Sequence, residues 1–407
     1  MTTLTSARML TPVRREPGFI QAAILLVTAG LTVLVTAVLG PSLPAMQRHF
    51  AQVPGADYLV PLTMTTPMLM MAALSVVAGG LADRFGRKRL LVGATALYAV
   101  FGTAPMWLDS LTAIIASRVA LGVTEAVLMT VSTTMIGDYY SGARREKFMS
   151  LQTTVSAASA FLLNTVGGLI AEHGWRAPYG VYAISLVLAP AMVVFLWEPK
   201  PQADDAASLA AAQRDDAPWR PGLLAFVCAL AVLLGIMFLT VPVHFGYLFG
   251  AIGVHSPAQV GAAYGLNSLG VIAGTLVFGW GIAPRLPVAR QLALGCLMAG
   301  MGFWLMRSAD HYGALAVAGV VNGFGAGLLL PTMVTWCMRV LPFARRGLGT
   351  GAFQSCLFLG MFVNPVLVVS LERLHGGSRA AGIGAIGMAL MALAVVALLA
   401  SARTRKA

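Results

Sequence analysis

Gly79-Gly80-Leu81-Ala82-Asp83-Arg84-Phe85-Gly86-Arg87-Lys88-Arg89-Leu90 packs five formal charges into seven positions, with long apolar runs on both sides, roughly 58–81 and 90–108. A helix needs about 20 mainly apolar residues to cross a bilayer, so the stretch reads as a basic loop between two membrane spans. The same count applied outward gives further runs at roughly 19–43, 111–137, 148–170, 177–197, 222–249, 257–281, 291–306, 312–338, 347–371 and 380–401. Composition agrees. The chain is 58% hydrophobic and only 10% charged, where a soluble domain carries about 25% charged residues.

The expected fold class is an all-α polytopic membrane protein, with twelve transmembrane helices in two pseudo-symmetric six-helix bundles. Residues 198–221, with Pro199, Pro201, Asp204, Asp205, Asp215 and Asp216, form the one long hydrophilic stretch and read as a linker. It divides a first bundle, 19–197, from a second, 222–401, and polar tails occupy 1–18 and 402–407. The run after the first tail is long enough to span, so it reads as a helix and not as a cleaved signal. Of 27 Lys and Arg, 21 fall in the two tails, the linker and the loops on their side. Five fall in the opposite loops and one, Arg118, lies within a span. Basic residues collect in cytoplasmic loops, so both termini are expected to be cytoplasmic, in the inner membrane if the cell is bacterial.

An offset of 201 residues maps Pro41 to Pro242, Gly80 to Gly281, Arg84 to Arg285, Arg89 to Arg290, Gly122 to Gly323 and Arg144-Arg145 to Arg345-Arg346. Repeated halves of this kind are an organisation of secondary transporters, with substrate handled near mid-membrane between them. Other classes are excluded on their own terms. The net charge of +12 resides in short loops and not on a basic face with stacking aromatics, so nucleic acid is not an expected partner. Cys228, Cys296, Cys337 and Cys356 show no Cys-x-x-Cys spacing and read as small apolar residues, without metal or redox roles. No phosphate-binding Gly-x-x-x-x-Gly-Lys-Ser/Thr loop is present. No cofactor, metal or enzymatic activity is expected.

The stretch 79–90 resembles the signature G-x-L-A-D-R-x-G-R-K/R of the major facilitator superfamily, at the same place between helices two and three. The resemblance implies that Gly80, Asp83, Arg84, Gly86, Arg87 and Lys88 form a conformational latch. Asp83 would pair with arginines at a helix end and stabilise one side of an alternating-access cycle. Charge-assisted bonds of that kind can break and re-form as helices slide. The second-half copy, Gly281-Ile-Ala-Pro284-Arg285-Leu-Pro287, lacks the aspartate, so any latch is asymmetric.

Arg118-x-x-x-Gly122 resembles another motif of the superfamily, tied to proton coupling in its exporters. Glu125 follows seven residues after Arg118, about two turns on one helix face and roughly 10 Å of rise. Side chains lean toward the helix N-terminus, so Glu125 leans toward Arg118, with direct contact, a bridging water or a substrate group all compatible. Charges in mid-bilayer are costly and mark transport paths or proton relays. A structural polar cluster is the competing reading. The second-half counterpart, Gly319-Val-Val-Asn-Gly323-Phe-Gly-Ala326, keeps the glycine and neither charge.

Thr32, Thr36, Asn164, His244, Asn267, Asn322, Gln354 and Phe358 are further candidates for a substrate path, each also readable as a helix–helix contact. His244 is in addition a candidate second titrating group. Helix one lacks the acid that many similar exporters carry, helix five has a degenerate antiporter motif, and sugar-porter loop signatures are absent. The function expected is proton-coupled efflux of lipophilic drug-like compounds or metabolites by a monomer. Its partners would be a small-molecule substrate, protons and the lipid bilayer. The alternative is proton-coupled uptake of a small organic anion bound through Arg118. A non-transporting membrane sensor would need no intramembrane charges.

Overall fold

The computed structural model describes residues 17–140, 142–199, 221–340 and 346–403, and every regular element among them is helical. The tail before residue 17, linker residues 200–220, the 341–345 segment and the Asp83 side chain lie outside the described residues. In chain order α1 is a broken helix, with arms Phe19–Leu31 and Leu34–His49 meeting at 43°. Then come α2 (Ala56–Phe85), α3 (Arg87–Thr103), α4 (Leu111–Tyr139) and α5 (Gly142–Ala171). The sixth, α6, begins as a 3-10 helix at Ala177–Ile184 and continues as Ser185–Phe195. The second series is α7 (Pro221–Ala251), α8 (Pro257–Val277), α9 (Val288–Ser308), α10 (Tyr312–Val340), α11 (Arg346–Leu374) and α12 (Arg379–Arg403). Ten of these are long and apolar enough to cross a membrane, and the bent α1 makes eleven. The 30-residue α2 spans about 45 Å at 1.5 Å per residue, which also suffices.

Local chemistry explains the irregular places. At the break in α1, the Thr32 hydroxyl donates back to the Ala29 carbonyl at 2.8 Å and Thr36 to Val33 at 3.1 Å, a pattern that bends helices. The stretch 79–90, expected to be a loop, is helical except at Gly86. There the backbone turns from α2 into α3 with φ +88°, a conformation that favours glycine. The motif is thus a one-residue corner between two helices.

The internal repeat is visible in the packing. A Cβ on Gly122 would stand 2.7 Å from Pro67 Cα, so α4 lies against α2 at backbone distance. Its counterpart Gly323 meets the Asn267 carbonyl on α8, and the 201-residue offset carries Pro67 to the neighbouring Ser268. Small residues at corresponding positions bring corresponding helices together in each half.

The halves meet through α2 with α11, α5 with α8, and α1 with α7. Contact is closest on the distal face, opposite the termini. There a Cβ on Gly168 would fall 2.7 Å from Gly261 Cα, and one on Gly40 would fall 2.6 Å from the Pro242 carbonyl oxygen. Polar links reinforce the seam. Arg373 donates to Asp57 at 2.6 Å, and the Glu172 carboxylate accepts from the Ser256 hydroxyl at 2.6 Å and the Ala258 N–H at 3.0 Å, capping α8. At the other end Gly80 and its counterpart Gly281 have nothing within 4 Å of an added Cβ. The distal face is therefore where the two halves are in backbone contact.

Two outcomes follow for this seam. Gly168→Leu places a side chain where two backbones touch, so the distal ends separate; spin labels at 57 and 373 should report a longer and broader distance distribution. The Ser256 hydroxyl and then the Ala258 N–H hold the Glu172 carboxyl below its ordinary pKa. A depressed carboxyl pKa adds stability above the ordinary value and loses it as pH falls through the depressed one. The distal closure should therefore be unchanged from pH 8 to 5 and weaken only below roughly pH 4, and Glu172→Ala should remove this acid-dependent component.

Candidate functional site

Arg118 and Glu125 lie on α4, both with 0% exposure. The guanidinium turns into the first half, toward α3 and α6. Its Nη2 donates to the Phe101 carbonyl and, at 3.1 Å, to the Gly102 carbonyl, and its Nε reaches the Ser117 hydroxyl at 3.3 Å. The Tyr179 and Tyr182 rings stand 5.1 and 5.5 Å from Cζ, within cation–π range. The reason is written into α3. Its last carbonyls lack intrahelical partners, and the group that would serve Phe101 is the N–H of residue 105, which is a proline. Arg118 supplies that donor, and its charge complements the negative end of the helix dipole.

Glu125 is placed differently. Among the described residues no ion pair joins it to Arg118, and neither carboxyl oxygen has a hydrogen-bond partner. The buried Tyr182 hydroxyl lies beside the Arg118 guanidinium. Tyr98 packs its ring 5.3 Å from Tyr182 and donates to the Leu31 carbonyl at the break in α1, at 2.7 Å. The two charges read as a pair therefore have separate surroundings, one capping a helix end and the other unattached.

The latch residues gather at the terminal-face corner of the first half. Arg87 forms an ion pair with Asp138 on α4. Glu198, just past α6, accepts from the backbone N–H groups of Arg87 at 2.5 Å and Lys88 at 3.0 Å, capping α3. The Lys88 ammonium donates to the Val193 carbonyl at 2.8 Å, and Tyr139 stacks on Trp197 at 5.0 Å. Arg84 is exposed, with its guanidinium 5.6 Å from the Phe85 ring. An added Cβ on Gly80 would meet nothing within 4 Å among the described residues. Asp138 and Glu198 escaped the sequence reading; both are acids beside basic loops of the same face, which was the available signal.

The substrate-path candidates do not converge on one cavity. Asn267 donates to the Gly319 carbonyl at 2.7 Å and Asn322 to the Ala299 carbonyl at 3.1 Å, both as struts inside the second half. Asn164 crosses between halves to the Ser268 hydroxyl at 3.1 Å. Thr32 and Thr36 are half-buried at the α1 break, Gln354 is half-buried on α11, and Phe358 is buried there. His244 is buried within the second half between α7 and α11. A cavity of about 390 Å³ also lies within that half, walled by side chains including Phe226, Met237, Leu292, Met333, Trp336 and Leu393. Among the described residues no cluster of three His, Cys, Asp or Glu could hold a metal.

The profile of the Major Facilitator Superfamily matches residues 25–365 and again 244–407. The chain belongs to this superfamily. Similar relatives include the multidrug efflux pump LfrA of Mycolicibacterium smegmatis, 31% identical over 35% of this chain and 29% of that protein. The arabinose-proton symporter of Escherichia coli K12 is 29% identical over 48% of this chain and 42% of its own length. The chain thus matches less than half the length of either. The cephamycin export protein CmcT of Amycolatopsis lactamdurans is 26% identical over 84% of this chain and 72% of that one. The inward-open structure of the xylose transporter XylE from E. coli superposes with a TM-score of 0.75 at 14% identity, covering 93% of this chain and 96% of the other. That likeness establishes the superfamily fold.

If Arg118 is the surrogate for the proline's missing N–H, its removal has a specific remedy. Arg118→Ala should cost about 3 kcal/mol, two charged hydrogen bonds at about 1.5 each, read by thermal unfolding in detergent. Pro105→Ala restores a backbone donor, so the double variant should recover a measurable part of that loss. Additive losses in the double-mutant cycle would show that the guanidinium does not serve this helix end.

Proposed function

We propose that this superfamily member is a secondary active transporter that works by alternating access and exports lipophilic compounds in exchange for protons, with Glu125 carrying the proton. The observation behind this reading is the Glu125 carboxyl, fully buried and without a partner on either oxygen. An ionised carboxylate in such a place is far more costly than a neutral one, so the group favours carrying a proton in the conformation seen. A rearrangement that wets α4 would favour its release. Arg118, about two turns away and held on α3, supplies a fixed positive charge.

The export direction is supported by relatives such as LfrA and CmcT, which are named for efflux or export, while the arabinose relative is a symporter. Lipophilic cargo suits the largely apolar interior. Arg118 as an anchor for an organic anion has less support, because three of its contacts and two aromatic faces already enclose it. The Lys and Arg distribution supports a cell-membrane protein with both termini cytoplasmic, so the distal face, where the halves are in contact, would be the outward side. On this reading the linker 198–221 joins two six-helix domains of one monomer.

Glu125→Gln is the test, in proteoliposomes with a dye that the wild type moves. The variant should lose gradient-driven transport tenfold or more while keeping dye exchange without a gradient. Wild-type gradient-driven rates in the variant would sink the assignment.

A further inference from the structure

All four cysteines lie in the second half, and the packing of α7 against α11 brings two of them together, Cys228 and Cys356. Both helices start on the terminal face, so they run parallel, and they touch at backbone distance. An added Cβ on Gly360 would stand 3.0 Å from Val232 Cα, and one on Gly235 would stand 2.9 Å from the Met361 backbone nitrogen. One turn further along, the Asn364 amide donates to the Ile236 carbonyl and the Thr240 hydroxyl, both at 2.8 Å. Val232 thus meets Gly360 and Ile236 meets Asn364, at one offset of 128 residues. Residues four apart share a helix face, so the same register sets Cys228 opposite Cys356, one turn nearer the terminal face. Their thiols are in hydrogen-bonding contact.

The surroundings narrow what such a pair can hold. Each thiol is half-buried, and Cys228 lies seven residues into α7 from Pro221, roughly 10 Å at 1.5 Å per residue, within the apolar part of the span. The charged and polar groups of this packing region, His244, Tyr247, Asn364 and Arg379, whose guanidinium stands 4.1 Å from the Tyr247 ring, are all on the distal side. Cys337 of α10 is near, but its sulfur is turned to the Gly349 carbonyl at 3.9 Å. Among the described residues no three His, Cys, Asp or Glu are placed to hold a metal ion. Zinc takes four ligands, and any free cation must be stripped of water to enter. A ligand that arrives uncharged and needs two adjacent sulfurs on one atom meets both limits.

We propose that Cys228 and Cys356 form a dithiol site for neutral trivalent arsenic compounds, the arsenoxides and arsenous acid. An arsenoxide bonds to both sulfurs: two arsenic–sulfur bonds form, the arsenic–oxygen double bond breaks, and the two thiol protons leave with the oxygen as water. Arsenous acid reacts in the same way with loss of two waters and keeps its third hydroxyl. Arsenic stays trivalent, nothing is oxidised or reduced, and no charge is created inside the span. The ring so closed ties α7 to α11 one turn from the contact of Val232 with Gly360. The site shares no residue with Glu125 and does not rest on the transport reading, because capture can be observed without a gradient.

The test uses the full chain purified in detergent, phenylarsine oxide as the probe and intact-protein mass spectrometry as the readout. The wild type should take up a single phenylarsenic group per chain, keep it in excess 2-mercaptoethanol and release it to 2,3-dimercaptopropanol. Both sulfurs must be displaced from one arsenic, so a monothiol competes poorly. Cys228→Ser and Cys356→Ser should each weaken retention about a hundredfold, since one link of a two-point attachment is gone. Cys228→Ala and Cys356→Ala should behave alike, which separates loss of the sulfur from any effect of the serine hydroxyl on folding. Cys296→Ser, Cys337→Ser and Glu125→Gln should bind as the wild type does. A wild-type chain with no monothiol-resistant adduct would overturn the site. So would an adduct that survives in either Cys228 or Cys356 variant, or one that disappears in Cys337→Ser. None of these results bears on Glu125, whose assignment stands or falls with gradient-driven transport.

Discussion

A carbonyl that a proline leaves without its N–H partner has no water to turn to inside a bilayer. In this chain that carbonyl belongs to Phe101, one turn before Pro105, and the guanidinium of Arg118 answers it. The consequence reaches beyond one helix end. Committed to α3, the arginine draws in Tyr179 and Tyr182 at the start of α6 and ties three helices of the first half together. The Glu125 carboxyl, on the same helix as Arg118, is buried and has no hydrogen-bond partner among the described residues.

The same constraint governs the irregular backbone elsewhere. At the α1 break the Leu31 carbonyl is met by the Tyr98 hydroxyl. At Pro242 the ladder of α7 is bridged by the Tyr264 hydroxyl. At the α2–α3 corner the first N–H groups of α3 are met by Glu198. In each case a side chain from another element supplies a hydrogen-bond partner where a helix ladder is interrupted, so local breaks become tertiary contacts. Glycines perform the complementary task. Gly122 and Gly323 fix helix pairs within each half, whereas Gly168 and Gly261 bring the two halves together.

The halves share their packing and differ in their chemistry. Gly122 and Gly323 keep one role across the repeat, yet Arg118 and Glu125 have no counterparts on α10. The polar cluster of the second half is built from α7, α11 and α12, while that of the first uses α3, α4 and α6. In the second half the motif corner has lost its aspartate, and Arg285 instead caps the π-helical turn Phe278–Ile282 that follows α8, donating to the Trp280 and Gly281 carbonyls at 3.0 and 3.1 Å. A symmetric scaffold with unlike interiors lets a single chain place chemistry in one half without disturbing the packing of the other.

Much of the fold was legible in the sequence because hydropathy is a local property. A run such as 312–338 announces a span without reference to its neighbours, and the 201-residue offset exposes the repeat by identity alone. The burial of Arg118 and Glu125 followed for the same reason. Their partners did not, since a seven-residue spacing says only that both lie on one helix face. Whether the arginine meets the glutamate, a substrate or a helix end depends on what stands opposite, and the competing acceptor lies 17 residues earlier on another helix. That Asn267 and Asn322 donate to the Gly319 and Ala299 carbonyls could not be read either, because an asparagine in a span reads alike whether it faces a cavity or a neighbouring carbonyl. The sequence by itself determined the membrane class, the span order, the doubling of the halves and the presence of buried charge. Only the tertiary structure decided which buried polar groups are satisfied and which are left free, because that depends on helix ends brought together from distant parts of the chain.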